Sequence, residues 1–182
     1  MSLKHGLPLV LRLVLGALLL LSGTMKLGLF KALGVVPLAM DPLDFAFSLK
    51  AFKLGFSDGT IGLLTYAVPW GEALVGALLV LGLWTRAASL GAIVLMLAFA
   101  AGIGSLIQRD IPVNCPCFGK LKLFCGDRPL GFCHLLRNSA FALAGAVILW
   151  LGPGYLSVDG LLAGRGPKPD GQAPLDPARR QR

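Results

Sequence analysis

The sequence predicts an all-α integral membrane protein, a bundle of four transmembrane helices. Of its 182 residues, 55% are hydrophobic and only 14% are charged, whereas a soluble domain carries about 25% charged residues. The charged residues are also unevenly distributed, and the long apolar runs 87–108 and 138–158 contain no charged residue. These runs are continuous rather than alternating, which favours helices that satisfy their own backbone hydrogen bonds over the strands of a barrel.

Four of the apolar runs are long enough to cross a bilayer, which takes about 20 residues. A cleaved signal peptide is the alternative for the first run, because Lys4 precedes its apolar core, but no Ala-x-Ala site follows it. Small residues within the runs would let neighbouring helices approach closely in lipid. The predicted spans are 7–25, 62–84, 87–108 and 138–156.

The four spans place both termini on one side of the membrane and the long connections 26–61 and 109–137 on the other. Lysine and arginine are almost evenly divided between the two sides, so the positive-inside rule does not decide the orientation. All four cysteines lie in the second connection, and disulfides persist in oxidising compartments, which favours an outward-facing cysteine loop. We assign the net charge of +8 to the membrane flanks and a basic tail rather than to nucleic-acid binding.

Two segments outside the spans have a distinct pattern. In 43–56, phenylalanines and a leucine recur at helical spacing, which predicts either a helix lying in the membrane interface or a lid over the cysteine loop. The two roles are compatible. Residues 158–182 are rich in glycine, proline and arginine and are predicted to be a disordered tail that follows a transmembrane domain at 1–157.

The cysteine loop contains Asn114–Lys120, NCPCFGK, and three interpretations of its cysteines remain open. Cys115 and Cys117 are predicted to be a redox pair, because a neighbouring thiol resolves a mixed disulfide quickly and a one-residue spacer strains the bond. Cys125 and Cys133 are candidates for a structural disulfide that closes the loop. Zinc bound by four cysteines or His134 is the third interpretation, but Cys-x-Cys spacing is tighter than usual for zinc ligands, so no metal is predicted.

Charged residues at the cysteine-loop side of the spans are further candidates, since a charge within a span is costly. Lys26 ends the first span, Glu72 lies within the second, and Arg137 with Asn138 opens the fourth. A Lys26–Glu72 ion pair is compatible with these positions. The alternative is that the long side chains snorkel to the interface, which is also expected of Arg12 at the opposite end.

Three segments resemble a known family. LRLVLGALLLLSGTMKL (11–27), VPWGEALVGALLVLGLWTRAAS (68–89), and NCPCFG followed by LLRNSAFAL (135–143) are similar to motifs of the DoxX-like membrane proteins. The Cys-x-Cys-Phe-Gly loop before an Arg-Asn-initiated last helix narrows the resemblance to the MauE (methylamine utilisation) branch. The resemblance covers roughly residues 9–152.

The resemblance implies a role in maturing an exported enzyme, methylamine dehydrogenase in the family namesake, together with a periplasmic thioredoxin-like partner. It also implies a bacterial inner-membrane protein with a periplasmic cysteine loop and cytoplasmic termini. We therefore predict a redox-associated maturation factor, a candidate thiol–disulfide oxidoreductase, in which Cys115 and Cys117 exchange disulfides and Glu72, Lys26 and Arg137 support the site. A quinone is the candidate electron partner, by analogy with other membrane thiol oxidases.

Two alternatives remain open. The first alternative to the maturation factor is a non-catalytic scaffold whose cysteines only staple a loop. The second is a quinone-linked sulfur oxidoreductase subunit, as the wider DoxX resemblance allows.

Overall fold

The computed structural model describes residues 3–35, 41–52, 55–110, 131–152 and 157–163, and within these ranges every regular element is a helix. Four of the helices are long and apolar enough to span a membrane, so the predicted all-α four-span architecture is confirmed. The long helices are α1, α4, α5 and α6, and shorter helices precede α4 and follow α6. In chain order the helices are α1 Leu3–Lys26, α2 Leu29–Ala32, α3 Pro42–Ala51, α4 Asp58–Leu81, α5 Thr85–Gln108, α6 Phe132–Leu151 and α7 Val158–Ala163.

Capping residues and glycines, rather than the limits of the apolar runs, set where the long helices begin and end. Ser57 caps α4, its side chain accepting a hydrogen bond from the Thr60 backbone N–H at 3.3 Å, so α4 begins before the predicted residue 62. Gly82 ends α4 with a left-handed φ of 67°. Gly152, with a φ of 83°, ends α6 earlier than predicted, and Pro153 follows it in the sequence.

Glycines allow α1 and α4 to pack with their backbones in contact. A Cβ on Gly23 would lie 2.6 Å from both the Pro69 carbonyl oxygen and the Ala73 backbone nitrogen. Gly145 has the same function between α6 and α5, because a Cβ there would lie 2.9 Å from Cγ1 of Ile93. Small residues therefore set the spacing of both helix pairs, as is common in membrane bundles.

The bundle is apolar on its outer surface as well as in its core. Leu63, Leu74 and Val94 are each more than half exposed, although they are large aliphatic residues. Trp84 and Trp150, 71% and 87% exposed, lie at the same end of the bundle, as expected of interfacial anchors. This surface matches lipid, and the chain is a multi-pass membrane protein. The core is formed by Leu15, Leu19, Leu79, Ala88, Ala92, Met96, Ala142 and Ile148.

Helix α3 covers the bundle at the opposite end, between α1 and α4. Phe45 and Phe52 are buried, whereas Leu43 and Phe47 are exposed. The helix stops at Ala51, so it is shorter than the predicted amphipathic segment. Any contact between α3 and the cysteine loop lies outside the described residues.

Helix α7 occupies the first residues of the segment that the sequence assigned to a disordered tail. Ser157, just before it, is 2% exposed and its hydroxyl accepts a hydrogen bond from the Gly160 backbone N–H at 3.0 Å. This part of the tail is therefore a packed helix. The remainder of the predicted tail, 164–182, lies outside the described residues.

Candidate functional site

An ion pair between α1 and α4 lies at the centre of the bundle. The Lys26 Nζ is 2.7 Å from Glu72 Oε1 and 2.9 Å from Oε2. The Ser22 hydroxyl donates a third hydrogen bond to Glu72 Oε2, at 3.1 Å. Both charged side chains are only 1% exposed. The Lys26–Glu72 ion pair that the sequence allowed is therefore formed, and the Lys26 side chain does not extend to the interface.

Two aromatic rings complete the surroundings of the Lys26 ammonium. Its Nζ lies 5.1 Å from the ring centre of Phe45 in α3 and 4.8 Å from that of Phe99 in α5. Ring faces attract a cation, and the attraction is stronger when water is excluded. Each carboxylate oxygen of Glu72 already accepts a hydrogen bond. The geometry of the unit is that of a clamp joining α1, α3, α4 and α5.

Glu72 lies near mid-height of its membrane-spanning helix. With a rise of 1.5 Å per residue, Glu72 is about 21 Å along α4 from Asp58, and the hydrocarbon core is about 30 Å thick. Because α4 begins and ends earlier than predicted, Glu72 lies just beyond the midpoint of the helix rather than in its cysteine-loop half. At this depth an unpaired charge is costly, which explains the complete pairing.

Helix α6 presents a second set of polar groups to the interior. His134 and Asn138 are 7% and 3% exposed, and they continue the buried stripe of Ala142, Gly145 and Ile148. Within the part of the chain that the structure describes, His134 Nδ1 and Asn138 Nδ2 have no hydrogen-bond partner. From the sequence, His134 is predicted only as an alternative metal ligand, and Asn138 only as part of the opening of the fourth span.

Arg137, predicted as a supporting site residue, lies beside these two groups and is half-buried. The register of α6 on α5 places Asn138 near the depth of the clamp. Gly145 is next to Ser89 and Ile93, so Asn138, about 10 Å nearer the loop, is level with the turn of α5 that carries Phe99. No group of three or more His, Cys, Asp or Glu with metal-binding geometry occurs among the described residues.

The cysteines are only partly visible. Cys133, in the first turn of α6, is disulfide-bonded. Cys115, Cys117 and Cys125 lie outside the described residues, so the redox pair and the Cys125–Cys133 bond remain predictions. The structure places a disulfide-bonded cysteine directly before His134, at the loop end of the polar face of α6.

A polar cluster at the opposite end was not predicted. The Asp159 carboxylate of α7 accepts hydrogen bonds from the backbone N–H groups of Trp84 and Thr85, each at 2.8 Å. It thereby caps α5, which has no local side-chain cap. Arg12 is 1% exposed and lies against Gly82, where a Cβ would collide with its guanidinium. The prediction that Arg12 snorkels is wrong, because the glycine at the α4–α5 turn leaves room for it inside.

Acid should release α7 from α5. Burial favours the neutral form of Asp159, but the hydrogen bonds from Thr85 and Trp84 and the charge of Arg12 outweigh it and lower the Asp159 pKa below its ordinary value of 3.8. A lowered folded-state pKa stabilises the folded state above pH 3.8, and this stabilisation is lost as the pH falls through the lowered pKa. We expect the protection of the Trp84 and Thr85 amides against hydrogen exchange, measured by mass spectrometry relative to the intrinsic rate at each pH, to fall in that acidic range.

The Asp159→Asn variant should lack this pH dependence, because asparagine keeps one of the two acceptor oxygens of the cap and does not titrate. Asp58→Asn is the control, since Asp58 pairs with Lys50 at an exposed site and should leave the exchange profile of the wild type in place. Identical pH profiles in wild type and Asp159→Asn would contradict the assignment of the lowered pKa to this cap.

The fold and the buried clamp define a multi-pass integral membrane protein whose spans are joined by an internal ion pair. A family model described as "Methylamine utilisation protein MauE" matches residues 4–151. The chain belongs to the MauE family, which confirms the part of the resemblance that narrowed to the MauE branch. Comparison with curated proteins and with solved structures gave no match.

Proposed function

We propose that this protein is a membrane-bound maturation factor that assists disulfide formation or assembly of an exported protein through Cys115 and Cys117. The observation that supports this most directly is the disulfide at Cys133. Stable disulfides are typical of oxidising compartments. This favours a periplasmic cysteine loop in a bacterial inner membrane, with the chain termini in the cytoplasm.

The proposed step is thiol–disulfide exchange. A thiolate of the client, or of a thioredoxin-like partner, attacks the Cys115–Cys117 disulfide and forms a mixed disulfide, releasing one loop thiolate. A second thiol of the client then attacks the mixed disulfide. The client is released with its own disulfide, and both loop cysteines remain in the protein as thiols. An electron acceptor must take two electrons and two protons to restore the loop disulfide, and a bilayer quinone is the acceptor class we propose.

The described residues would support this chemistry by holding the loop in place. The loop connects α5 to α6, and the Lys26–Glu72 clamp fixes α1 and α4 against α5 through Phe99. Arg137 lies one turn after Cys133 on α6. Its positive charge would favour the thiolate form of a cysteine near the loop end. The family description names methylamine utilisation, and methylamine dehydrogenase is therefore the client we propose first.

A non-catalytic scaffold is the second candidate, and the same disulfide favours it. If Cys133 pairs with Cys125, the bond is a staple that shapes the loop. Leu43 and Phe47, exposed on α3, would then form part of the surface for an exported partner.

Cysteine substitutions separate the two candidates. We expect Cys115→Ser and Cys117→Ser to reduce client disulfide formation at least tenfold, because each removes one of the two sulfurs that exchange requires. One of the two variants should also accumulate a mixed disulfide with the client. Cys133→Ser is the matched control and should retain exchange while losing about 2–5 kcal/mol of stability.

The measurement is alkylation of isolated membranes with a mass-tagged maleimide, before and after mild reduction. An impermeant maleimide also reports which side of the membrane the loop faces. Unchanged client disulfides in the Cys115→Ser, Cys117→Ser double variant would contradict the exchange mechanism and leave the scaffold.

A further inference from the structure

The polar face of α6 contrasts with the clamp, which lies at a similar depth in the bundle. In the clamp, the Lys26 ammonium donates hydrogen bonds to the Glu72 carboxylate. His134 Nδ1 and Asn138 Nδ2, in contrast, are buried and have no hydrogen-bond partner among the described residues. A buried polar atom left without a hydrogen bond costs about 1–3 kcal/mol. Two such atoms one helical turn apart, with Cβ atoms about 6 Å from each other, indicate that something else accepts their hydrogen bonds.

The chemistry of these atoms restricts what that group is. The Asn138 amide nitrogen is a donor, and neutral histidine donates from Nδ1 when that nitrogen carries its proton. Arg137, beside them, is also only a donor. All three belong to a membrane-spanning helix, so a ligand must offer acceptor oxygens and also partition into lipid.

We propose that His134 and Asn138, in the first turns of α6, form a binding site for the carbonyl group of a lipid-soluble molecule. Two common sources carry such a carbonyl, a quinone ring and the ester of a glycerolipid. A quinone there would take the two electrons and two protons released when two thiols become a disulfide, and would leave as a quinol. That redox meaning rests on the proposed function, whereas the binding itself does not.

Binding is tested on the full chain purified in detergent. Native mass spectrometry would follow titration with a short-chain benzoquinone and, separately, with a short-chain diacyl phospholipid. We expect one of the two to bind with one-to-one stoichiometry. His134→Leu and Asn138→Leu should each raise its Kd about two- to tenfold, the equivalent of one lost hydrogen bond.

Two matched variants control for indirect effects. His134→Asn keeps an amide N–H near the position of Nδ1 and should retain most of the affinity. Leu136→Ala changes the opposite, exposed side of the same turn and should leave the Kd unchanged. The leucine variants remove atoms that have no partner among the described residues, so they are expected to fold.

The outcomes are distinct. Preferential binding of the quinone or of the phospholipid identifies the source of the carbonyl. Equal binding by wild type and both leucine variants would overturn the site. So would an absence of binding together with a higher Tm for Asn138→Leu, since the polar atoms would then only be tolerated. Failure of the Cys115→Ser and Cys117→Ser tests would remove the exchange mechanism but leave a measured ligand site intact.

Discussion

Replacing Glu72 with glutamine is expected to destabilise the protein by about 3–5 kcal/mol, because it leaves the Lys26 ammonium charged and unpaired in the middle of the bundle. The Lys26 Nζ loses the carboxylate at 2.7 Å, and its side chain is only 1% exposed, so solvent does not replace the lost partner. The flanking rings of Phe45 and Phe99 supply at most about 2 kcal/mol of cation–π attraction. Lys26→Met should cost a similar amount by stranding the Glu72 charge.

The double variant Lys26→Met, Glu72→Met should recover most of this loss. Replacing both members of a buried pair by apolar residues of similar volume is often neutral or stabilising, because two desolvated charges are removed together. The measurement is a double-mutant cycle on the free energy of unfolding, obtained by titrating detergent-solubilised protein with a denaturing detergent. A double variant that loses the sum of the two single losses would contradict the clamp.

The exposed ion pair of the same chain is the control. Lys50 and Asp58 are 2.9 Å apart, but their side chains are 55% and 90% exposed. Lys50→Met should therefore change the free energy of unfolding by less than about 1 kcal/mol. The cycle also addresses function, because a double variant that folds and still supports disulfide exchange would make the pair structural rather than chemical.

The sequence made this pair predictable because Glu72 interrupts one apolar run and Lys26 ends another, and a charge within a span needs a partner. The hydrogen bond that the Thr85 amide donates to the Asp159 carboxylate was not predictable. Capping is recognised in sequence when the cap precedes its own helix, whereas here the acceptor comes from 74 residues further along the chain. Arg12 was misjudged for a related reason, since only the folded turn shows that Gly82 leaves space for it.

The α6 face lies between these cases. Its stripe of buried residues has ordinary helical spacing, so the inward position of Asn138 follows from the sequence once α6 is extended back to Phe132. The prediction started the span at residue 138 because it followed the apolar run, and hydrophobicity does not detect polar residues in the first turns of a helix. Whether a buried nitrogen finds a partner depends on neighbouring helices and leaves no mark in the sequence.

Replacing Gly76 with alanine should destabilise the packing of α1 on α4 by about 1–3 kcal/mol, the usual cost of overpacking. The new methyl group would collide with the Leu20 backbone nitrogen and would lie 2.7 Å from the Gly16 carbonyl oxygen. These are backbone atoms of a facing helix, so relief requires α1 to move away as a unit. The loss should exceed the gain of about 1 kcal/mol that alanine brings to a helix interior.

Gly71→Ala is the matched control, because it lies on the same helix and a Cβ there meets nothing within 4 Å. It should be neutral or stabilise the protein by up to about 1 kcal/mol. Both variants are measured by the same denaturing-detergent titration. Because α1 must lie against α4 for Lys26 to reach Glu72, Gly76→Ala should also weaken the coupling energy of the Lys26–Glu72 cycle. Gly76→Ala and Gly71→Ala with equal stability would mean that the two helices are further apart, and the clamp could not then close at 2.7 Å.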